Sequence, residues 1–133
     1  MTIDAEKIIV SLPVINDDDE IISFAKQMTD VSVTLLGEGA DDDWKNLFYN
    51  GLVALLSAKR KGTSLILLTA LYHNPEISKI FLAKIMNREV YDFWTKEIPQ
   101  FMQRANVSES IHSFDLKIVS LLDKQEIQDL CKR

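Results

Sequence analysis

The chain has 133 residues, of which 47% are hydrophobic and 26% charged, with four glycines and three prolines. These values are typical of one folded domain and exclude a disordered or fibrous chain. The net charge of −5 is unevenly placed, because residues 1–43 carry −9 and residues 44–133 carry +4, and such an acidic first third argues against nucleic acid as its ligand.

The first apolar positions predict a short helix within residues 1–15 that ends at Pro13, because proline is poorly tolerated inside a helix. A longer helix is expected next, since the acids of residues 16–20 are typical of a helix start. Apolar residues then follow helical spacing from Ile21 onwards. Residues 31–36 also alternate as a strand does, but the acidic start favours a helix.

The most regular helical pattern starts at Trp44. Asp43 directly precedes it and is a suitable N-cap. The helix is expected to end within residues 59–62, where three cations meet the negative end of the helix dipole and Gly62 permits a left-handed closing conformation. One face of this helix carries the apolar residues Trp44, Leu47, Phe48, Leu52, Leu55 and Leu56.

Residues 64–73 are apolar on nearly every side, which predicts a buried helix at the centre of the fold. Pro75 then begins another helix that ends near Asn87, since proline is favoured at the first helical position. The next helix starts at about Arg88, and its apolar stripe continues across Pro99, which must kink or split it.

The last part of the chain also favours helices. Residues 114–119 alternate like a strand, yet the apolar spacing up to Leu122 suits a helix. Asp123 and Glu126 have the spacing of a capping box before a final short helix. We therefore predict an all-α protein: one domain over residues 1–133, an irregular orthogonal bundle of about six to eight short helices around the central helix near residues 64–73.

The sequence favours a cytoplasmic protein with no membrane contact. Its richest apolar window, residues 65–72, is far shorter than the roughly 20 residues that span a bilayer. Asp4 and Glu6 precede any apolar stretch, which is unlike a secretion leader. Cys131 is the single cysteine and has no partner for an internal disulfide, as suits a reducing compartment.

Two runs of acids are the strongest candidates for a functional surface. One or two carboxylates suffice to cap a helix start, whereas three or four adjacent ones repel each other within the Debye length of about 8–10 Å. A cation supplied by a partner would relieve this repulsion. The predicted partner-binding residues are Asp17, Asp18, Asp19, Glu20, Glu38, Asp41, Asp42 and Asp43.

Metal binding and catalysis are not predicted. A calcium loop starting at Asp17 or Asp41 fails, because its fifth and sixth positions lack the required oxygen ligand and glycine. The two histidines, His73 and His112, lie in no zinc motif, and His73 is expected to cap a helix end. No nucleophile–base pair or phosphate-binding loop is visible, so we expect neither an enzyme nor a cofactor.

These observations favour a small acidic protein-binding module that docks on a basic protein partner. Its composition is similar to that of immunity proteins that neutralise nuclease toxins, where carboxylates imitate phosphates at a basic cleft. The alternative is a helical scaffold or adaptor, either monomeric or homodimeric, that binds a partner helix in an apolar groove near Pro99. The sequence leaves the oligomeric state open.

Overall fold

The computed structural model describes residues 9–132. The all-α prediction is confirmed over this range, whose only extended pairing is an isolated bridge between Ser11 and Ser64. Its elements are α1 (Asp18–Leu36), a 3₁₀ turn (Gly37–Gly39), α2 (Asp42–Ser57), α3 (Leu67–Leu71), α4 (Pro75–Leu82), α5 (Arg88–Asp92), a π-helical segment (Phe93–Glu97), α6 (Ile98–Phe101), α7 (Val107–Leu121) and α8 (Gln125–Leu130).

Helices α1 and α2 each begin at an aspartate whose carboxylate caps the helix. Asp17 accepts a hydrogen bond from the Glu20 N–H at 3.0 Å, as the acid-rich start predicts. Asp41 accepts from the Trp44 N–H at 2.8 Å. The N-cap of α2 is therefore Asp41 and not the predicted Asp43, because Asp41 has the extended backbone that lets a side chain fold back onto the first turn.

Helix α2 lies at the centre of the bundle and contacts α1, α3, α4 and α5. Every residue from 50 to 57 is buried. Gly51 permits the close approach of α3, since a Cβ there would stand only 2.8 Å from Leu68 Cδ2. The most enclosed helix is thus α2, which the sequence analysis placed at 44–61 and treated as amphipathic.

The helix expected at residues 64–73 is shorter than predicted, because only Leu67–Leu71 is helical, and three of its five residues are partly exposed. The backbone at residues 63–65 pairs with the N-terminal segment, and residues 65–66 form a turn that leads into α3. Leu12 donates to Thr63 at 2.7 Å and Leu65 donates to Val10 at 2.8 Å. These two hydrogen bonds hold residues 63 and 65 against the N-terminal segment, and the regular helix begins only at Leu67.

The N-terminal helix predicted within residues 1–15 is wrong over residues 9–15, and the rest of it lies outside the described residues. Residues 9–15 run extended and insert Val10, Leu12 and Ile15 into the core. Alternate residues of an extended chain face the same side, so Val10 and Leu12 fit this conformation as well as a helical one.

The sequence predicts that Pro99 kinks or splits its helix, and the structure shows a π-helical segment there but no split. The five residues before α6 form the π-helical segment, in which the Ile98 N–H bonds to the Phe93 carbonyl. Pro99 has no N–H to return to the preceding turn, so widening that turn keeps the neighbouring donors paired. The helical rod from Arg88 to Phe101 continues across the proline without a break.

The two ambiguous stretches are helical, since residues 31–36 belong to α1 and residues 114–119 belong to α7. The capping box at Asp123 does not form, because Lys124 is the N-cap of α8 and no side chain caps that helix. The end of α2, predicted within residues 59–62, lies at Ser57. Lys59, just after it, takes the left-handed conformation, with φ of 54°. Gly62, with φ of 83°, turns the loop that follows.

Aromatic side chains join the helices in one hydrophobic core. Trp44 stacks on Phe48 with ring centroids 4.7 Å apart. Tyr72 stacks on Trp94 at 5.1 Å and meets the edge of Phe114 at 5.3 Å. The Tyr72 hydroxyl donates to the Leu47 carbonyl, which ties α3 to α2.

Removing either aspartate cap should destabilise the fold. We expect Asp17→Ala and Asp41→Ala each to lower the free energy of unfolding by about 1 kcal/mol, because a helix N–H loses its acceptor. Asp17→Asn and Asp41→Asn retain an acceptor oxygen, so each should lower the free energy of unfolding by only about 0.3 kcal/mol. Urea unfolding measures all four variants. Equal losses for the alanine and asparagine variants would contradict the capping role.

Burial raises the pKa of Tyr72 well above its ordinary value of 10.0. In the unfolded chain Tyr72 ionises near pH 10, while in the folded chain it stays neutral, so the free energy of unfolding should fall as pH rises above 10. The expected slope of this free energy is about 1.4 kcal/mol per pH unit for this one group.

Tyr72→Phe should lack this pH dependence, and its free energy of unfolding at neutral pH should be lower by about 1 kcal/mol. Unfolding curves for both proteins from pH 7 upwards test this, and identical pH dependence would contradict it.

Candidate functional site

The two acidic runs lie at opposite ends of the α1/α2 hairpin. Lys59, just after α2, pairs with Asp18 at 3.2 Å and so places the start of α1 beside the end of α2. The short turn over residues 37–41 places the end of α1 beside the start of α2. Because α1 has 19 residues at about 1.5 Å each, the two ends are separated by about 28 Å.

We call the first group, Asp17, Asp18, Asp19 and Glu20, the α1 acidic end. Part of its charge is offset by the protein itself. Asp17 is used as a helix cap, and Asp18 pairs with Lys59. Residues 60 and 61, an arginine and a lysine, follow Lys59 in the same loop. One of the four acids is therefore paired with a cation, and two further cations follow that lysine in the chain.

We call the second group, Glu38, Asp41, Asp42 and Asp43, the α2 acidic end. Asp42 lies 3.5 Å from Lys45, but this aspartate is 96% exposed, and ion pairs so exposed contribute little. Asp43 lies 2.9 Å from Arg104. The described residues offer Glu38 no ion pair. All four carboxylates are exposed to solvent.

A cleft of about 190 Å³ opens beside the α2 acidic end, between the first turns of α2 and α7; we call it the α2/α7 cleft. Its acids are Asp41, Asp43 and Glu109, and its apolar floor is formed by Trp44, Leu47 and Phe114. The sequence analysis missed Glu109, which stands alone among neutral residues. Only the packing of α7 against the start of α2 brings it to the other acids.

Lys117 also lines the cleft. Its ammonium group donates to the Ser113 hydroxyl at 3.0 Å, one turn earlier on α7. Its aliphatic stem lies against Gly39, where an added Cβ would come within 3.2 Å of Lys117 Cε. With Glu109 added, five acids gather at this end against three cations, Lys45, Arg104 and Lys117.

Helix dipoles modify the potential at this end. Both α2 and α7 begin here, and each helix start carries about half a positive charge. The C-terminus of α1 also lies here, with about half a negative charge and no basic residue in its last turn to balance it. The dipoles therefore offset only part of the excess of two negative charges, and the α2 acidic end stays negative.

Arg104 shows how this surface holds a guanidinium group. Its charged end lies 4.9 Å from the centre of the Phe101 ring, while one of its nitrogens donates to Asp43 at 2.9 Å. A carboxylate and an aromatic face are the two partners that a planar guanidinium group prefers. Asp43 also lines the α2/α7 cleft, so one carboxylate serves both places.

Other reactive side chains do not converge on this site. Burial raises the pKa of the Cys131 thiol to about 11, which disfavours the reactive thiolate at neutral pH. The sequence analysis expected His73 to cap a helix end, and this prediction is wrong. The His73 ring instead pairs with Asp115 at 2.5 Å and joins the α3–α4 junction to α7. Over residues 9–132, no three potential metal ligands come together.

No helix in the described part of the chain has the length and apolar character required to cross a bilayer. Comparisons with known proteins add no relative: no family model, curated protein or solved structure matches the chain.

Proposed function

We propose that this chain is a small protein-binding module that docks on a basic protein partner through its α2 acidic end. The observation that carries the proposal is the local charge there: five exposed acids, three of which line the α2/α7 cleft, gather beside three cations. Of the eight partner-binding residues predicted from the sequence, the proposal keeps four, which are Glu38, Asp41, Asp42 and Asp43. It adds Glu109.

Opposite potentials steer two proteins together and raise the association rate, with a strong dependence on salt. Carboxylates on a protruding helix end also imitate the spaced negative charges of a phosphate backbone. These properties suit an inhibitor of the immunity or antitoxin type, acting in the cytoplasm on a basic toxin such as a nuclease. In this proposal the module carries out no reaction itself.

The scaffold alternative receives less support from the geometry. The groove beside Ile98 and Phe101, next to Pro99, has a volume of only about 70 Å³. This is little more than a third of the volume of the α2/α7 cleft, whereas a helix-binding groove must accept several side chains. A partner helix would require this part of the surface to open.

The proposal predicts that only one of the two acidic ends binds a cationic ligand tightly. We expect a fluorescently labelled octalysine peptide to lose about tenfold in affinity at low salt when Glu38, Asp42 and Glu109 are changed to Gln, Asn and Gln. Each removed carboxylate weakens the binding free energy by about 0.5 kcal/mol, which is the Coulomb attraction of two opposite charges several ångströms apart in water. Fluorescence anisotropy over a salt series measures this, and the difference should shrink as salt rises.

The matched control removes the same number of charges from the α1 acidic end, as Asp18→Asn, Asp19→Asn and Glu20→Gln. Neither set contains a capping aspartate, so both variants should keep the fold, which circular dichroism checks. We expect the control to change the affinity less than about twofold, because Lys59 and its neighbours already screen that end. Equal losses of octalysine affinity in the two triple variants, or no loss of affinity in either, would contradict the proposal.

A further inference from the structure

Residues 9–13 leave one main-chain edge unpaired. Val10 and Leu12 use their main-chain groups to bond residues 63–65. Neighbouring residues of an antiparallel strand direct their main-chain groups to opposite edges. Ser11, which is exposed, therefore directs its N–H and its C=O away from that pairing. Among the residues that the structure describes, neither of these two groups has a hydrogen-bond partner.

This unpaired side of residues 9–13, which we call the free edge, lacks the usual protection against another chain. Proteins ordinarily protect such edges with charged side chains, above all lysine, or with a covering loop. Residues 9–15 carry no charge, and Ile9 is 75% exposed. Pro13 gives limited protection, since it removes one donor from the edge. The free edge can therefore accept a further strand beside Ser11.

We infer that the free edge pairs in antiparallel fashion with the free edge of a second copy of this chain. Ser11 lies opposite Ser11 of the second copy, and each N–H donates to the C=O of the other. Ile9 lies opposite Pro13 of the second copy, and the Ile9 N–H donates to that proline C=O. Two-fold symmetry repeats this bond, so each copy donates two main-chain hydrogen bonds. No residue of the α2 acidic end takes part, so this pairing goes beyond the proposed function.

Charges at the two ends of the free edge favour a second copy as the occupant. Lys132 lines the same crevice as Ile9, at one end. Asp17 lines another crevice together with Pro13, at the other end. Antiparallel pairing brings the first end of one copy beside the second end of the other, so Lys132 approaches Asp17 of the second copy. Lys132 is available for this contact, because its pair with Asp129 spans 3.8 Å between exposed side chains.

The dimer formed in this way is weak. Its strand pair has five residues on each side, whereas stable protein interfaces have about 20–30 residues a side. We therefore expect a dissociation constant of about 0.1–1 mM, so that dilute protein is monomeric and concentrated protein dimerises.

Sedimentation equilibrium over a concentration series that spans this value measures the dimer. Ile9→Lys places a cation on the free edge beside Lys132 and should weaken dimerisation about tenfold. Leu116→Lys is the matched control, because Leu116 is 58% exposed on α7 and lies outside the paired residues. It should leave dimerisation unchanged. Both positions are exposed, so both variants should fold, which circular dichroism checks.

The proposed ion pair is tested with Lys132→Gln and Asp17→Asn, the second of which keeps an oxygen to cap α1. Each change should weaken dimerisation about twofold to threefold, and the double variant should be no weaker than either, since both remove one pair. If only the net charge of −5 mattered, Asp17→Asn would instead strengthen dimerisation by reducing the repulsion between copies.

The Ser11 amide reports the pairing at the main chain. Its hydrogen exchange should slow as the protein concentration rises, because dimerisation gives this N–H an acceptor. The amides of Leu12 and Leu65 already donate within the chain and serve as the internal control.

A concentration-dependent dimer that Ile9→Lys weakens and Leu116→Lys retains, with slower exchange of the Ser11 amide, supports the inference. A monomer throughout the series overturns it, as does a dimer that Ile9→Lys leaves intact. A capped peptide of residues 9–14 tests the other occupant. If this peptide slows Ser11 exchange while the protein stays monomeric, the free edge accepts an extended segment of another protein, and the second copy is rejected.

Discussion

The antiparallel packing of α1 on α2 is the constraint on which the rest of the arrangement depends. It buries Ile21, Phe24 and Met28 of α1 against the central helix, and each such side chain contributes about 1.5–3 kcal/mol. The same packing directs the starts of the two helices in opposite directions. Because each start carries its own acids, the hairpin separates the negative charge into two groups.

The distance between these groups decides how they act. A separation of about 28 Å is roughly three Debye lengths at physiological salt, about 8 Å each. The electrostatic potentials of the two ends are therefore largely independent of each other. At the α1 acidic end Lys59 pairs with Asp18, whereas the α2 acidic end gains Glu109 and has more acids than cations.

The helical character of the chain could be predicted because apolar spacing and capping signals agreed along most of it. The Trp44 stripe and the acids before residue 21 located α1 and α2 to within a few residues, and Pro99 marked the irregular turn. The helix at 64–73 was overestimated because its apolar residues suit both a helix and a segment that pairs with another extended chain. That pairing, between residues 10–12 and 63–65, is a tertiary contact with no local signal.

The candidate site could be predicted only in part, for a related reason. Adding up the charge of residues 1–43 treats the acids as one group, while the fold separates them. Glu109, Arg104 and Lys117 reach Asp41 and Asp43 from much later in the chain. Nothing in the sequence around Glu109 distinguishes it from any exposed acid in the first turn of a helix. The residues that make the α2 acidic end distinctive were therefore visible only after folding.

The separation of the two acidic ends can be measured directly. Spin labels at Asp19→Cys and Asp42→Cys, in a Cys131→Ser background, report this distance by double electron–electron resonance, and neither position is a helix cap. The hairpin predicts a single distance population centred between about 25 and 35 Å once label length is included. A population below about 15 Å would place both groups on one surface and contradict the account.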